Sequence, residues 1–391
     1  MNSEQIDLPP LALYVHLPWC VRKCPYCDFN SHQAPSQLPA KEYVAALLAD
    51  LELDLPLVWG RAVQSIFFGG GTPSLFDAES VSNMLDGFRA RMRISPYAEI
   101  TLEANPGTTE HGSFSAYRDA GINRISLGAQ SFKNASLQRL GRIHGCDEIE
   151  MAVEAIRAAG ISNFNIDLMY GLPGQSLADA VDDVRRALDC GPSHLSHYQL
   201  TLEPNTAFYA NPPELPDEEI SWDMAEQCGT LLMDAGFRQY EISAWAREGF
   251  ECRHNLNYWR YGDFLGIGAG AHSKITLPAE QSVRRRVRQR LPKAWLEAMQ
   301  TGKWLVEDRL IDEEERVFEF FLNQLRLHDG IIKKQFSPRT GVSWNSVSER
   351  VEKAINKGLL TDTKEVLKPT SLGWRFTNET QAMFLPSAPL Q

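Results

Sequence analysis

The sequence has no long hydrophobic run. No apolar segment approaches the roughly 20 residues needed to span a bilayer, so we expect no transmembrane helix. The first residues have no basic region ahead of their short apolar stretch, which argues against a secretory signal peptide. Basic residues are also fewer than acidic ones, since the sequence has 39 Lys and Arg and 50 Asp and Glu, which gives a net charge of -11. Because a basic surface supplies most non-specific affinity for nucleic acid, this balance disfavours a general nucleic-acid binder.

Cysteine is scarce and unevenly placed. The 391 residues contain 7 cysteines, an odd number, and three of them lie between positions 20 and 27. A disulfide framework needs an even and dispersed set, so the pattern favours a reducing, cytoplasmic setting. The remaining composition, 43% hydrophobic and 23% charged, is that of an ordinary globular protein, and the length suggests two domains.

Short apolar runs alternate with amphipathic segments between residues 11 and 242. Such alternation predicts βαβ units and a parallel sheet that is covered on both faces. Six units fit a partial (β/α)6 barrel, within the α/β class, better than a full eightfold barrel. The predicted strands are 11–16, 63–68, 99–103, 124–129, 163–169, 194–202 and 238–242, and the predicted helices are 41–54, 148–159, 178–189 and 218–234.

The pattern changes after residue 275. The polar, Arg-rich segment 281–293 predicts a solvated linker. Helical patterns follow at 313–327 and 342–356, and then a short β-like pair around 359–367 and 374–377. This order is typical of a small α+β, winged-helix-like domain. The predicted organisation is a core domain over 1–275, a linker over 276–305 and a C-terminal domain over 306–391.

Polar and glycine motifs come directly after the predicted strands. The cysteines follow the first strand, the glycines at 69–71 follow the second, and Glu103 ends the third. Gln130 follows the fourth strand, and Asp167 lies near the end of the fifth. Because the chemistry of α/β barrels lies at the carboxyl ends of their strands, we expect these positions to share one site.

Cys20, Cys24 and Cys27 form the pattern C-x3-C-x2-C on a loop that leaves a strand. Three thiolates can hold three irons of a 4Fe-4S cluster and leave the fourth iron open to a small molecule. The alternative is a structural zinc ion held by the same cysteines with His16 or His32. Zinc sites usually pair two C-x2-C motifs, and the sequence has no second one, so the cluster is favoured.

The stretch YVHLPWCVRKCPYCDF around these cysteines resembles the radical SAM superfamily and, within it, the HemN/HemW group. The resemblance covers residues 10–275, with a looser match beyond. It implies that S-adenosylmethionine (SAM) binds the open iron, that the cofactors supply radical chemistry, and that the protein orients and shields them. The coproporphyrinogen-oxidising HemN branch has a fourth cysteine at the position of Phe29, so Phe29 points to the HemW branch.

The resemblance also implies a set of SAM contacts. Glycines lack a Cβ atom and let backbone groups approach a ligand, although a Gly-Gly-Gly run is often only a turn. Arg142 suits a carboxylate because its guanidinium is a planar fork, and Asp167 suits a ribose diol; each alone is equally compatible with a cap or a solvated charge. The implied contacts are Tyr14, Phe29, Gly70, Gly71, Thr72, Glu103, Gln130, Arg142 and Asp167.

Residues 253–259 read Arg-His-Asn-Leu-Asn-Tyr-Trp and resemble the HNxxYW motif of HemW proteins, which are haem chaperones. Imidazole is a common ligand of haem iron, so His254 is the predicted haem ligand, with Tyr258 and Trp259 able to stack on the macrocycle. The alternative is a His-Asn pair that caps a turn, beside a Tyr-Trp pair in the core.

Other candidates are weaker. The odd spacing of His194 and His197 puts them on opposite faces of a predicted strand, where a hydrogen-bonded core histidine is the favoured interpretation. The arginines within 284–290 form the one basic run of the sequence. Besides a solvated linker, they are open to interpretation as a docking surface for haem propionates, an acidic partner or an anionic membrane.

The resulting hypothesis is a radical SAM haem chaperone that delivers haem to acceptor proteins, membrane respiratory enzymes among them. It is expected in the cytoplasm, with association to the membrane as a further option, and the open iron allows a homodimer organised around the cluster. The sequence identifies neither the electron donor nor an enzymatic reaction. The rival functions are oxygen-independent coproporphyrinogen III oxidation and an iron–sulfur scaffold with a nucleic-acid-reading C-terminal domain.

Overall fold

The computed structural model describes residues 5–107 and 114–386. In these residues the strands β1 to β17 are Leu11–Leu17, Trp19–Cys20, His32–Gln33, Ala62–Gly70, Arg93–Ala104, Arg124–Gln130, Phe164–Tyr170, His194–Gln199, Arg238–Glu241, Ala244–Ala246, Asp263–Ile267, His272–Leu277, Ser282–Arg288, Leu305–Ile311, Ile331–Ile332, Leu360–Asp362 and Val366–Pro369. The helices α1 to α15 are Ala40–Val58, Ala78–Arg91, Phe114–Ala120, Asn134–Arg139, Cys146–Ala158, Leu177–Asp189, Ala207–Ala210, Glu218–Asp234, Arg253–Trp259, Pro292–Thr301, Glu313–Gln324, Phe336–Thr340, Ser348–Asn356, Ser371–Arg375 and Thr377–Ala382. Among them, none combines the length and the apolar character that crossing a membrane requires.

A large sheet runs through the described residues in the order β14-β13-β12-β11-β1-β4-β5-β6-β7-β8-β10-β9. Its centre, β1 and β4 to β8, is parallel, and β11 joins β1 in the same direction. Every residue of β6 is buried, as expected for a parallel strand with both faces covered. The predicted α/β class with six parallel barrel strands is confirmed.

Helix boundaries follow local capping chemistry. The side chain of Ser176 accepts a hydrogen bond from the backbone N–H of Asp179, and that of Asp217 accepts one from Ile220. These caps satisfy backbone donors that the first turn leaves free, so α6 and α8 begin where the sequence predicts. Both helices end near their predicted limits, at Asp189 and Asp234.

Register between β1 and β4 positions the cysteine loop. Leu17 at the end of β1 pairs with Gly70 at the end of β4. The backbone N–H of Gly71 donates to the carbonyl of Leu17 (2.8 Å), and that of Thr72 donates to the carbonyl of Trp19 (2.7 Å). The glycine turn is therefore fixed against the start of the loop that carries the cysteines.

The prediction of a solvated linker over 281–293 is wrong. This segment contains β13, which pairs with β12 and β14 in the large sheet. Arg288 is fully buried and forms ion pairs with Asp50 and Asp54 on α1, while Arg285 pairs with Glu319 on α11. The arginines are neutralised by carboxylates distant in the chain. Whether residues 276–305 separate two independently folding units stays a prediction.

The C-terminal region has a three-stranded sheet in the order β15-β17-β16. Its helices pack around an aromatic core that includes Phe320, Phe321 and Phe336. The prediction of a strand over 374–377 is wrong, because the Thr370 side chain accepts a hydrogen bond from Gly373 and caps α14 there. The strand that pairs with β16 is β17, Val366–Pro369.

Arg288→Met is expected to lower the free energy of unfolding by about 3–5 kcal/mol, because it leaves a carboxylate of α1 buried without its partner. Arg284→Met is the matched control: its side chain is 28% exposed and pairs with a 36% exposed Asp308, so we expect a loss of about 1 kcal/mol or less. Denaturant unfolding followed by tryptophan fluorescence measures both. Equal losses would contradict a buried charge network.

Candidate functional site

A cavity of about 310 Å³ opens at the carboxyl ends of β4 to β8. Its lining combines the cysteine loop with residues from the ends of five parallel strands. The predicted site residues that line it are Cys20, Cys24, Cys27, Phe29, Gly70, Gly71, Thr72, Glu103, Gln130, Arg142 and Asp167. The structure thus brings together motifs that are up to 147 residues apart, from Cys20 to Asp167.

The three cysteines are free and half-buried. The N–H of Cys27 donates to the carbonyl of Cys24 (3.2 Å), and Arg142 Nη1 lies 3.7 Å from Cys24 Sγ. Within residues 5–107 and 114–386, no three His, Cys, Asp or Glu side chains are placed to hold one metal ion. A cubane cluster puts each thiolate on a different iron, so it does not need its sulfurs to meet at one ion.

The glycine turn leaves no room for side chains. Gly70 has φ 115°, and a Cβ atom there would lie 2.5 Å from the ring of His16. A Cβ atom on Gly71 would lie 2.5 Å from the carbonyl oxygen of Trp19. Because real Cβ atoms do not approach so closely, the close contact between β4 and the cysteine loop requires glycine at both positions.

Arg142 is held in place by the cavity wall. Its Nη2 donates to the carbonyl of Gly128 (3.0 Å) and to Asn105 Oδ1, and Asn105 Nδ2 donates to Thr72 Oγ1 (2.9 Å). Sequence reasoning missed Asn105, which lies two residues after Glu103. The two-residue period of a strand was the available signal, since it puts both side chains on one face.

Two carboxyl groups lie at the cavity floor. Burial and, to a smaller extent, the nearby Asp167 raise the pKa of Glu103 to about 8, although the Gly70 N–H, which donates to Glu103 Oε2 (3.1 Å), opposes the shift. Burial also raises the pKa of Asp167, which accepts a hydrogen bond from Asn165 (2.8 Å). Gln130 Oε1 is buried and, among the described residues, has no hydrogen-bond partner. The floor therefore offers acceptors to a ligand.

Tyr14 and His254 lie outside the cavity lining, in the layer beneath it. The Tyr14 ring stacks on Phe67 with 6.4 Å between centroids, and its hydroxyl lies 3.1 Å from His16 Nδ1. The His254 ring is 5.0 Å from Phe67, and its Nδ1 lies 3.1 Å from Ser65 Oγ. Burial lowers the pKa of His254 to about 3, so this imidazole is neutral near pH 7.

Comparison with known proteins agrees with this geometry. Residues 14–187 match the Radical SAM superfamily, and residues 311–376 match the HemN C-terminal domain. The heme chaperone HemW of Escherichia coli is 46% identical over 97% of this chain and 99% of its own length, and that of Haemophilus influenzae is 47% identical over 97% and 98%. HemW of Bacillus subtilis is 32% identical over 96% and 99%.

The chain belongs to the HemW family of radical SAM proteins. The fold agrees with this assignment, since the coproporphyrinogen III oxidase HemN of Escherichia coli superposes with a TM-score of 0.82 over 96% of this chain and 90% of that chain. At 22% identity, this likeness shows the fold alone.

Membership of the radical SAM superfamily implies a 4Fe-4S cluster and SAM, which together supply one-electron radical chemistry when bound. The cavity of this HemW-family chain fits both. It offers three free cysteines, a glycine turn with no space for Cβ atoms, and the unpaired acceptor of Gln130. The residues that line the cavity would bind and orient these cofactors and limit the access of water to them.

Glu103→Gln is expected to stabilise the cluster-free protein at pH 8 more than at pH 5. The pKa of Glu103 rises from 4.5 to about 8 on folding, so the folded state binds its proton more tightly and stability falls as the pH rises through this window. Thermal unfolding from pH 5 to 8 measures the effect. A difference between Glu103→Gln and wild type that does not change with pH would contradict the shift.

Proposed function

We propose that this protein binds haem and delivers it to haem-requiring proteins, with a SAM-binding 4Fe-4S cluster as a resident cofactor. The observation that carries this proposal is the 46% identity to the heme chaperone HemW of Escherichia coli over nearly the full length of both chains. A match of this extent covers the cysteine loop, the barrel and the C-terminal region together.

The cavity supports specific roles for its residues. Cys20, Cys24 and Cys27 hold the cluster in this proposal, because they are the three thiols of the lining. The turn of Gly70, Gly71 and Thr72 receives the methionyl end of SAM, because the two glycines carry no side chain that would keep a ligand away from the turn. Tyr14, in the layer below, supports this end through its stacking on Phe67.

Arg142 offers its Nη1 to the carboxylate at the methionyl end of SAM, because its Nη2 already donates to Gly128 and Asn105. The ribose end of SAM meets the polar floor in this proposal. Glu103 and Asp167 accept hydrogen bonds from the ribose hydroxyls, and Gln130 offers its unpaired oxygen. Phe29 lies at the mouth, with its ring 61% exposed.

Oxygen-independent coproporphyrinogen III oxidation is the alternative function. The fold similarity to HemN favours it, but the chain has Phe29 where the resemblance places a fourth cysteine. A phenyl ring cannot ligate iron or donate a thiol hydrogen. The chaperone function is therefore the better supported of the two.

We further propose a cytoplasmic protein whose acceptors include membrane respiratory enzymes, and a homodimer that forms around the cluster. Val21, Phe29 and Ile143 support an interface at the cavity mouth, because their apolar side chains are exposed on the loops that carry the cysteines and Arg142. Exposed apolar side chains near one opening are typical of a protein-binding surface.

Cys24→Ser is expected to abolish the cluster, since two thiolates leave a second iron of the cubane without a protein ligand. Cys146→Ser is the matched control, because Cys146 is also free and half-buried but lies outside the cavity. Anaerobic reconstitution with iron and sulfide, read by metal analysis and electron paramagnetic resonance, distinguishes them. Full occupancy of Cys24→Ser, or of wild type by zinc alone, would remove the cluster from the proposal.

Gly70→Ala is expected to prevent SAM binding, because its Cβ atom would displace the β4 turn or His16. In the reconstituted wild type, SAM should change the electron paramagnetic resonance spectrum of the reduced cluster. In the variant, the cluster signal should persist and the response to SAM should disappear. Gly302→Ala, whose Cβ atom meets nothing within 4 Å, is the control for backbone strain, since Gly302 also has a positive φ of 76°.

Haem-loaded protein is expected to transfer haem to an apo-acceptor and to leave coproporphyrinogen unchanged. The reconstituted protein, supplied with a reductant and SAM, should be offered haem and coproporphyrinogen in parallel. Absorbance spectra follow the haem, and chromatography follows the porphyrins. Conversion of coproporphyrinogen to protoporphyrinogen would establish the alternative function, and a wild type that binds no haem would refute the chaperone proposal.

A further inference from the structure

A second, larger cleft of about 1190 Å³ lies between α8 and the C-terminal region. Tyr170 on β7, His197 on β8 and Trp245 on β10 line its barrel side. The opposite wall is formed by α14 and β17 with His328. Cofactor pockets commonly measure about 300–1,000 Å³, so the cleft has room for a tetrapyrrole.

The side chain of His197 lies on β8 and lines the cleft. It is 7% exposed, and its ring stacks on Tyr170 with 4.6 Å between centroids and 27° between planes. Among the described residues, neither of its ring nitrogens forms a hydrogen bond. His194, on the opposite face of β8, has both nitrogens engaged, by Asn165 (2.7 Å) and Tyr240 (2.9 Å). The prediction of a hydrogen-bonded core histidine is therefore confirmed for His194 and is wrong for His197.

The walls of the cleft are aromatic. Trp222 on α8, Trp245 on β10 and Trp374 on α14 line it together with Tyr170. His328, a second imidazole, packs edge-on against Trp374 at 5.4 Å. Flat aromatic side chains on two walls suit a flat, largely apolar macrocycle, because ring stacking adds to the burial of apolar area.

The cleft also contains cations that suit propionate groups. The Arg375 guanidinium lies 3.9 Å from the centre of the Trp222 ring, and Lys368 lines the same wall. Within the described part of the chain, neither cation has a carboxylate partner. Glu218 and Glu226 line the α8 side, so an anionic group is favoured at the wall of Lys368 and Arg375.

We infer that haem binds in this cleft, with His197 as an iron ligand and with Lys368 and Arg375 near the propionates. The inference rests on the proposed function and gives it a site. It differs from the assignment of the haem ligand to His254, whose ring packs beneath the cavity against Phe67 and Ser65.

This position puts haem beside the SAM cavity. Tyr198 lines the cavity, the adjacent His197 lines the cleft, and Gln199 lines both. Neighbouring residues of a strand point to opposite faces, so one strand separates the two sites. Occupancy of one site can influence the other through β8.

Haem titration of the full-length protein tests the inference with three chains: wild type, His197→Ala and His254→Ala. His197→Ala is expected to weaken haem binding by about tenfold or more and to lose the absorbance spectrum of imidazole-ligated haem. Added imidazole should restore that spectrum. His254→Ala should bind as wild type does. Circular dichroism checks folding, and if an alanine variant unfolds, His197→Gln or His254→Gln, which keeps a polar side chain of similar length, replaces it at the same position.

Substitution of Lys368 and Arg375 tests the inference independently of the histidines. Lys368→Gln with Arg375→Gln should weaken the binding of haem but leave that of haem dimethyl ester unchanged, because the ester carries no propionate charge. Lys353→Gln with Arg89→Gln, outside the cleft, is the matched control. Wild-type spectra and affinity in His197→Ala, with ligation lost in His254→Ala, would overturn the inference and leave the chaperone function standing. Absence of haem binding by wild type would overturn the function itself.

Discussion

The parallel pairing of β1 with β4 is the constraint on which the cofactor cavity depends. It brings the end of β1 against the glycine turn, where Gly71 and Thr72 donate backbone hydrogen bonds to Leu17 and Trp19. The loop that carries the cysteines begins at these hydrogen bonds. A side chain at Gly71 would meet the carbonyl oxygen of Trp19, at the start of the cysteine loop, and would displace this loop from the polar ends of β5 to β7. The three thiols and the polar floor line one cavity because the end of β1 contacts the glycine turn.

The interior of the barrel is divided into layers. Glu103, Gln130 and Asp167 face the cavity, and Tyr14 and Phe67 form the layer beneath. Helix α9 closes the other end, because its backbone and side chains meet the early parts of β4 and β5: the N–H of His254 donates to Glu99, and Arg253 donates to the carbonyl of Tyr97. This position gives the histidine motif a structural role in supporting the floor of the cavity.

The Arg-rich strand β13 joins the barrel to the C-terminal region. Arg286 and Arg288 reach carboxylates of α1 on one face of the sheet, and Arg285 reaches Glu319 of α11 on the other. A bridge between Glu241 and Leu327 and the ion pair of Arg326 with Glu241 add contacts beside the large cleft. These contacts tie the barrel strand β9 to the C-terminal region next to the cleft.

The sequence by itself predicted the barrel strands, the boundaries of α6 and α8 and most of the residues that line the cavity. These features depend on periodicity, capping and motifs at strand ends, all of which are local in the chain. Only the tertiary structure decided that β13 is a sheet strand, that Asn105 anchors Arg142, and that His194 is satisfied while His197 faces a cleft. Each of these outcomes depends on partners such as Asp50, Glu319 or Tyr240, which are remote in sequence. A local sequence pattern shows whether a segment is helical or extended. The ion pairs and hydrogen bonds of its side chains depend on which residues the fold brings next to them.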